Sequence, residues 1–237
     1  MKVVAFASQK GGSGKTTLAA HVAVQAELMG AGPVALMDTD PQGSLTDWWN
    51  ERESPTPLFA QASVARLAEH VEEMRGQGIK LLVIDTPPAI TSTIGHVMSV
   101  ADLVVIPTRP SPHDLRAAGA TVDLAERLDR PLVFVVNGGH PRAKITTEAV
   151  IALSQHGPLA STVIHQRTDF AASMIDGRTV MEIRTRSRSP EEIDQLWDYI
   201  SARLENRRLP GAGLTASTPK ATLDTQSGVV AGRTLEA

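Results

Sequence analysis

Residues Ser8–Thr17, SQKGGSGKTT, form a glycine-rich loop with two lysines directly behind the apolar run VVAFA. Gly14–Thr16 fits the second half of the phosphate-binding loop pattern G-x-x-x-x-G-K-[ST]. In such a loop backbone amides surround the phosphates, the lysine contacts the β- and γ-phosphate oxygens, and the hydroxyl binds magnesium. Where that pattern requires its first glycine, this chain has Gln9. A strand before the loop and a helix after it still aim a helix N-terminus at an anion. We therefore predict a phosphate-binding loop in which one lysine, Lys10, is not explained by phosphate binding alone.

The glycines inside the loop can replace the missing one, because glycine adopts backbone conformations that other residues avoid. An ordinary strand-to-helix turn with both lysines in solvent is the alternative. The agreement between the motif and its place after a strand favours phosphate binding. The motif predicts nucleotide contacts from Gly11, Gly12, Ser13, Gly14, Lys15 and Thr16.

Three aspartates follow apolar runs at positions from which they could reach a bound phosphate. Asp85 ends the run LLVID, and Asp38 and Asp40 flank Thr39 at the end of an earlier run. Alternate residues on an extended segment project to the same side, so Asp38 and Asp40 are both expected to face the terminal phosphate. Phosphoryl transfer depends mainly on charge neutralisation and a positioned water. The alternative for any single aspartate at a strand end is a helix cap or a turn former.

Four segments together resemble the ParA/MinD-type ATPases, whose deviant Walker A box has a second lysine and which move plasmids, chromosome origins and other cargo. KGGSGKTT matches that box, and MDTDPQGSLTDW is similar to the second box of the family. LLVIDTPP resembles the Walker B strand and its switch, and VIPTRPSPHDLRAAG resembles the P-x-x-P-S-x-x-D segment. The matches cover about residues 1–140, and the small ParA-like partition and cargo-positioning ATPases are the most similar branch.

The resemblance explains the two lysines. Lys10 matches the signature lysine, which in the family reaches across a nucleotide-sandwich dimer to the phosphates of the partner subunit. Two facing ATP molecules bring several negative charges together, and a cation donated from the other subunit offsets their repulsion. Lys15 then serves the nucleotide of its own subunit.

The resemblance also implies the roles of the remaining polar residues. Thr16 and Asp85 hold Mg²⁺, Asp38 supports the metal shell, Asp40 orients or activates the attacking water, and Thr17 bonds the α-phosphate. The implied cofactors are ATP and Mg²⁺. The implied activity is a weak ATPase that a partner protein stimulates.

Asn137 ends a strand-like run at a position where the family often reads the edge of adenine. An asparagine before two glycines is equally a plain turn signal. The sequence leaves these two interpretations open.

The C-terminal third contains a basic stretch, GRTVMEIRTRSRSP, that lies where small ParA-type proteins bind DNA without sequence preference. A few arginines per subunit, doubled by dimerisation, suffice for salt-sensitive phosphate binding. A solvated charged face is the alternative. On an extended segment a spacing of two puts side chains on one face, whereas a helix would scatter them. The candidate DNA-binding residues are Arg167, Arg178, Arg184, Arg186 and Arg188.

Strand-like runs alternate with helical patterns through most of the chain, which predicts a single α/β domain: a mostly parallel, twisted sheet with helices on both faces. We expect this domain to span residues 1–208 and a flexible polar tail to span 209–237. The predicted strands are 2–7, 33–38, 80–85, 102–107, 131–137 and 161–165, and the predicted helices are 15–29, 63–75, 113–128, 144–155 and 189–208.

Composition excludes several classes of function. A formal charge of −3 is not that of a globally basic nucleic-acid binder, so a DNA surface must be local. The absence of cysteine excludes disulfides and thiol catalysis. Neither a signal segment nor a membrane-spanning run is evident, which predicts a cytoplasmic protein. No helix-turn-helix precedes the loop, which argues against operator-specific repression.

Three functions compete at this point. The first is a cargo-positioning ATPase that dimerises with ATP, binds nucleoid DNA nonspecifically and is released by a ParB-like or cargo adaptor protein. The second, a membrane-gradient ATPase of the MinD type, needs a C-terminal amphipathic helix, and 209–237 has no cationic apolar stripe. The third is a metabolic relative that uses ATP on a small molecule. The cargo itself is open: plasmid, chromosome locus, chemoreceptor cluster or protein microcompartment.

Overall fold

The computed structural model describes residues 1–61, 63–88 and 92–207, and the predicted tail lies outside them. The strands are β1 (Lys2–Phe6), β2 (Val34–Asp38), β3 (Leu58–Phe59), β4 (Leu81–Asp85), β5 (Leu103–Thr108), β6 (Leu132–Gly139) and β7 (Ile164–His165). The helices are α1 (Lys15–Leu28), α2 (Ser44–Asn50), α3 (Leu67–Gly76), α4 (Ser92–Val100), α5 (Pro112–Arg127), α6 (Lys144–Ser154), α7 (Thr168–Met174) and α8 (Ser189–Leu204), with a 3₁₀ turn at Val64–Arg66.

The strands form one seven-stranded sheet in the order β3-β2-β4-β1-β5-β6-β7, and every pair is parallel. In this register Asp85 lies beside Phe6 on one side and beside Asp38 on the other. The carboxyl ends of β1, β2 and β4 therefore meet at one edge of the sheet. The glycine-rich loop and two of the three candidate aspartates start from that edge.

Helices cover both faces of the sheet, which is why its strands are apolar at consecutive positions. On one face, alternate strand residues such as Ala5, Ile84 and Ile106 form a buried core with α3 and α4. On the other face α1 packs against β2, β4 and α8. All five residues of β4, including Asp85, are buried. Within the described residues, the helices are too short or too polar to cross a membrane.

The α/β class, the parallel sheet and the predicted strands are confirmed, with bounds that differ by up to a few residues. Four elements were not predicted: α2, β3, α4 and α7. The helix predicted from residue 63 begins instead as the 3₁₀ turn and continues as α3. The unpredicted helices have only seven to nine residues each, too short for a helical period to stand out in the sequence.

Candidate functional site

The loop between β1 and α1 has the backbone of an anion cradle. Gly12 and Gly14 have φ angles of +73° and +96°, in the left-handed region that favours glycine. A Cβ at Gly14 would also lie 2.1 Å from Nδ2 of Asn137, so no larger residue fits there. Gly14 is the N-cap of α1, and no side chain caps this helix. Its first amides are therefore available to a ligand.

The two lysines of the loop lie in different environments. Lys15 is 6% exposed, and its Nζ donates to the carbonyl oxygen of Lys10 at 3.5 Å. Burial lowers the pKa of Lys15, and the negative charges of Asp85 and Asp40 oppose that shift. The side chain of Lys10 is exposed and makes no hydrogen bond or ion pair with the residues that the structure describes. One cation is thus buried in the site and the other is exposed to solvent.

Thr16 and Asp85 bring oxygen ligands together beside Lys15. The Thr16 hydroxyl donates to Oδ2 of Asp85 at 2.5 Å. Burial raises the pKa of Asp85 to about 7 and the charge of Asp38 adds to the rise, while the Thr16 hydroxyl, Lys15 and the Thr86 amide oppose it. A buried carboxylate with too little countercharge, next to a hydroxyl, is the oxygen donor set that Mg²⁺ prefers. The residues present therefore fit the predicted magnesium site.

A magnesium ion there would neutralise charge on the phosphate oxygens. Within the described residues no group of three or more His, Asp or Glu side chains is arranged to hold a metal. A magnesium ion bound to Thr16 and Asp85 would therefore need phosphate oxygens or water as its other ligands.

Asp38 and Asp40 have different surroundings, although both leave the same strand end. Asp38 Oδ2 accepts the Leu45 and Thr46 amides at 3.0 and 2.9 Å and the Thr46 hydroxyl at 3.1 Å. It thereby caps α2, whose own N-cap, Gly43, has no side chain. Asp40 is half-buried and lines the cavity over the loop. Asp40 thus lies in the cavity over the loop, and its place at a terminal phosphate stays a prediction. Asp38 has the capping role that was the alternative, and its support of a metal shell also stays a prediction.

Two cavities flank the loop. The larger, about 970 Å³, extends from the loop to α2 and to the end of α7. The smaller, about 200 Å³, lies between the loop, the end of β6 and the start of α7. Gly14, Thr17 and Arg109 line both. Arg109 was not predicted, although it follows β5 at the carboxyl edge of the sheet, where ligands of such folds bind.

Asn137 holds the loop from the far side. Its Nδ2 donates to the Ser13 carbonyl oxygen at 2.7 Å, and the side chain lines the smaller cavity. This bond fixes the loop backbone next to Gly14. The predicted contact with adenine stays a prediction, and the amide nitrogen already has a partner in the loop.

The five candidate arginines do not form one cluster. Arg167 lines the smaller cavity and pairs with the buried Glu192, which also accepts the ring nitrogen of His165 at 2.8 Å. Arg178 is exposed and pairs with Asp176 at 2.6 Å. The other three, Arg184, Arg186 and Arg188, are exposed along a segment without helix or strand.

A partly buried ion pair that the sequence did not suggest joins the end of α2 to this basic segment. Arg52, just after α2, donates from Nη2 to Glu182 Oε1 at 2.6 Å and from Nη1 to the Gly177 carbonyl at 2.8 Å. Burial alone would raise the pKa of Glu182, but the hydrogen bonds from Arg52 and Thr179 hold it below its ordinary value. The helix that Asp38 caps is thus tied to the C-terminal third.

Comparisons with known proteins agree with this geometry. The CobQ/CobB/MinD/ParA nucleotide binding domain family matches residues 4–180. Maintenance of carboxysome distribution protein A of Halothiobacillus neapolitanus is 32% identical over 215 residues, which are 83% of this chain and 95% of the relative. Protein ParA of Rhizobium radiobacter is 33% identical over 142 residues, 57% of this chain and 63% of the relative. The septum site-determining protein MinD of Pyrococcus horikoshii, complexed with Mg-ADP, shares the fold with a TM-score of 0.70 at 16% identity, over 84% of this chain and 95% of that chain.

Proposed function

This chain belongs to the CobQ/CobB/MinD/ParA nucleotide-binding family, and we propose that it is an ATP-hydrolysing dimerisation switch that positions an intracellular cargo on nucleoid DNA. The family resemblance of the four sequence motifs is confirmed. Its relatives include a carboxysome distribution protein and a ParA protein. Cargo positioning is therefore the function that both the sequence relatives and the site support best.

The observation that carries the proposal is the different burial of the two lysines. The buried Lys15 lies beside Thr16 and Asp85, where it serves a nucleotide of the same subunit. The exposed Lys10 has no side-chain partner among the described residues, which supports our proposal that it meets the phosphates of a second subunit. Binding of one nucleotide does not require a second, exposed cation. Dimerisation around two ATP molecules does, because it must offset the repulsion of facing phosphates.

ATP and Mg²⁺ are the proposed cofactors. The cavity over the loop has room for a nucleotide at about 970 Å³, and Thr16 and Asp85 supply oxygen ligands. Asp40 is the group in this cavity that orients or activates the attacking water. One related structure holds Mg-ADP on the same fold. Basal hydrolysis is slow and rises when a ParB-like or cargo adaptor protein binds.

The proposed binding partner of the dimer is DNA, bound without sequence preference. Arg184, Arg186 and Arg188 are exposed and carry three positive charges over five residues. Dimerisation doubles the number of phosphate contacts, so affinity for DNA rises when ATP is bound and falls steeply with salt. This places the protein in the cytoplasm, associated with the nucleoid.

Light scattering with a non-hydrolysable ATP analogue tests the switch. Wild type is expected to double its molar mass, whereas Lys10→Ala stays monomeric while it still binds the analogue. A Lys10→Ala protein that dimerises like wild type would refute the role of this lysine.

The two alternatives make different predictions in a second assay. If the protein is a metabolic enzyme or a membrane-gradient ATPase, wild type should not bind DNA even when ATP is present. A membrane-gradient ATPase should in addition sediment with anionic vesicles when ATP is present. Gel shifts on unrelated duplexes, with ATP, ADP or no nucleotide, separate these outcomes. Changing Arg184, Arg186 and Arg188 to Glu should remove DNA binding and spare dimerisation; equal binding by this variant would move the DNA surface elsewhere.

A further inference from the structure

Three hydroxyl groups hold the segment between α7 and α8 on a single carboxylate. Oδ2 of Asp169 accepts the Thr185 hydroxyl at 2.5 Å, the Ser187 hydroxyl, and the Ser189 hydroxyl at 3.4 Å. The Ser187 amide donates to the Thr185 hydroxyl at 3.0 Å, and the Ser189 amide donates to the Ser187 hydroxyl at 3.2 Å. The Thr185 and Ser187 hydroxyls thus each bond both the carboxylate and a nearby amide. We call this set of residues the Asp169 clip.

The clip fixes which side chains of the segment face outward. Thr185, Ser187 and Ser189 alternate with Arg184, Arg186 and Arg188, and the hydroxyls turn inward to Asp169. The three arginines are therefore exposed, and they form what we call the arginine strip. No ion pair joins Asp169 to the strip within the described residues. The carboxylate organises the segment and leaves the guanidinium groups free for an anionic partner.

Asp169 belongs to a helix that borders both nucleotide cavities. Phe170 and Ala171 in α7 line the smaller cavity, and Met174 and Ile175 at its end line the larger. A nucleotide that fills the two cavities therefore contacts the helix that carries the clip. The other end of the basic segment is tied to α2 through Arg52 and Glu182. Both attachments of the segment start from elements that line the nucleotide site.

We propose that Asp169 is the positioning residue of the arginine strip, and that through it nucleotide binding at α7 orders the strip for phosphate backbones. The proposal rests on the DNA-binding part of the proposed function. The clip replaces the order that a helix or strand would provide, because the segment has neither. An ordered strip loses less conformational entropy on binding than a loose one.

Asp169→Asn tests the proposal because two explanations predict opposite signs. If Asp169 acted only as a nearby negative charge, its neutralisation would strengthen binding to DNA. The clip predicts weaker binding instead, by about tenfold, because the anionic acceptor of three hydroxyls is lost. Glu191→Gln is the control, since it removes a negative charge from an exposed side chain close to the strip without touching the clip. Gel shifts in the non-hydrolysable ATP analogue measure both. Asp169→Asn binding as tight as wild type or tighter would overturn the proposal.

A second pair of variants leaves the charge unchanged. The double variant Thr185→Val with Ser187→Ala removes two donors, and we expect the same loss of DNA affinity as in Asp169→Asn. Thr185→Ser keeps the donor and should bind like wild type. Dimerisation by light scattering should be normal in all of them. A double variant with wild-type affinity would contradict the clip.

Trypsin provides a readout that does not need DNA. Cleavage after the exposed arginines of the strip should be about fivefold faster in Asp169→Asn than in wild type, because local opening governs proteolysis. The ATP analogue should slow this cleavage in wild type and leave the variant unchanged. If wild type fails to bind DNA while cleavage behaves as expected, DNA binding is refuted and the clip stands. Equal cleavage of wild type and variant, with or without the analogue, refutes the clip.

Discussion

The phosphate loop and the arginine strip carry the positive charges on which the proposed switch depends, and they are held in place by different means. The loop lies between a buried strand and a helix, and Gly14 has no space for a side chain. The strip has no regular structure and is held by hydroxyl bonds to a carboxylate of another element. Backbone geometry, with one side-chain bond from Asn137 to Ser13, therefore fixes the loop, whereas side-chain contacts alone fix the strip. Loss of one lysine from the loop should abolish the switch, whereas loss of one side chain from the strip should only weaken DNA binding.

Lys15→Ala should have the largest effect. Removing the buried cation leaves the β- and γ-phosphate charges without their main partner in the same subunit. We expect ATP affinity to fall by at least about a hundredfold, a size typical of breaking a buried charge pair. Calorimetric titration with ATP measures it, with Lys10→Ala as the control that keeps its affinity. Near-normal ATP binding by Lys15→Ala would mean that the loop does not work as a phosphate cradle.

Asp40→Ala should come next. Its carboxylate lines the larger cavity, whereas Asp38 is occupied with capping α2. Loss of the group that positions water should slow hydrolysis by about a hundredfold or more, with ATP binding and dimerisation retained. Steady-state phosphate release measures this. Asp47→Ala, on α2 in the same cavity, is the control. An Asp40→Ala protein as active as wild type would remove Asp40 from the reaction.

His21 connects the two regions, because it lies on α1, the helix that follows the loop, and bonds to the basic segment. Its Nδ1 donates to the Thr17 carbonyl at 2.7 Å and its Nε2 accepts the Val180 amide at 3.2 Å. Burial lowers the pKa of His21 to about 4, against opposing effects of the Thr17 carbonyl and Glu182. At a pH between about 4 and the ordinary pKa of 6.5, His21 is protonated in the unfolded chain and neutral in the folded one. The free energy of unfolding therefore falls as the pH drops through this range.

The measurement for His21 is urea unfolding at pH 7 and pH 5. Wild type should lose about 2 kcal/mol more of its unfolding free energy over this interval than His21→Gln, which has no group to titrate. Both proteins share all other titrating groups, so the difference reports His21. An identical pH dependence in the two would show that His21 is not held neutral by the fold.

Arg178→Ala should have the smallest effect. Its guanidinium is exposed and already paired with Asp176, and exposed ion pairs contribute little. We expect DNA affinity to change by less than about twofold. The slope of log affinity against log salt concentration should fall by less than the contribution of one phosphate contact. Gel shifts at several salt concentrations compare it with Arg186→Ala, which should lose about one contact. An equal loss in both variants would extend the strip to Arg178.

Local patterns were enough to predict the glycine-rich loop, the parallel sheet and the strand ends that Asp38 and Asp85 occupy. Each depends on residues adjacent in the chain or on consecutive apolar positions. The contacts that sequence reasoning missed join distant residues. Asn137 reaches Ser13 across 124 positions, and Arg52 reaches Glu182 across 130. The start of α2 was missed because its cap, Asp38, belongs to the preceding strand. Such pairings follow from the folded arrangement and leave no periodic signal.

The central claim is that the outward lysine of the loop controls what the arginine strip does. Co-sedimentation of wild type and Lys10→Ala with duplex DNA, in ATP and over a range of salt, tests it most directly. We expect wild type to sediment with DNA only in ATP, and Lys10→Ala to stay in the supernatant although it binds ATP. A Lys10→Ala protein that sediments with DNA as wild type does would contradict the account.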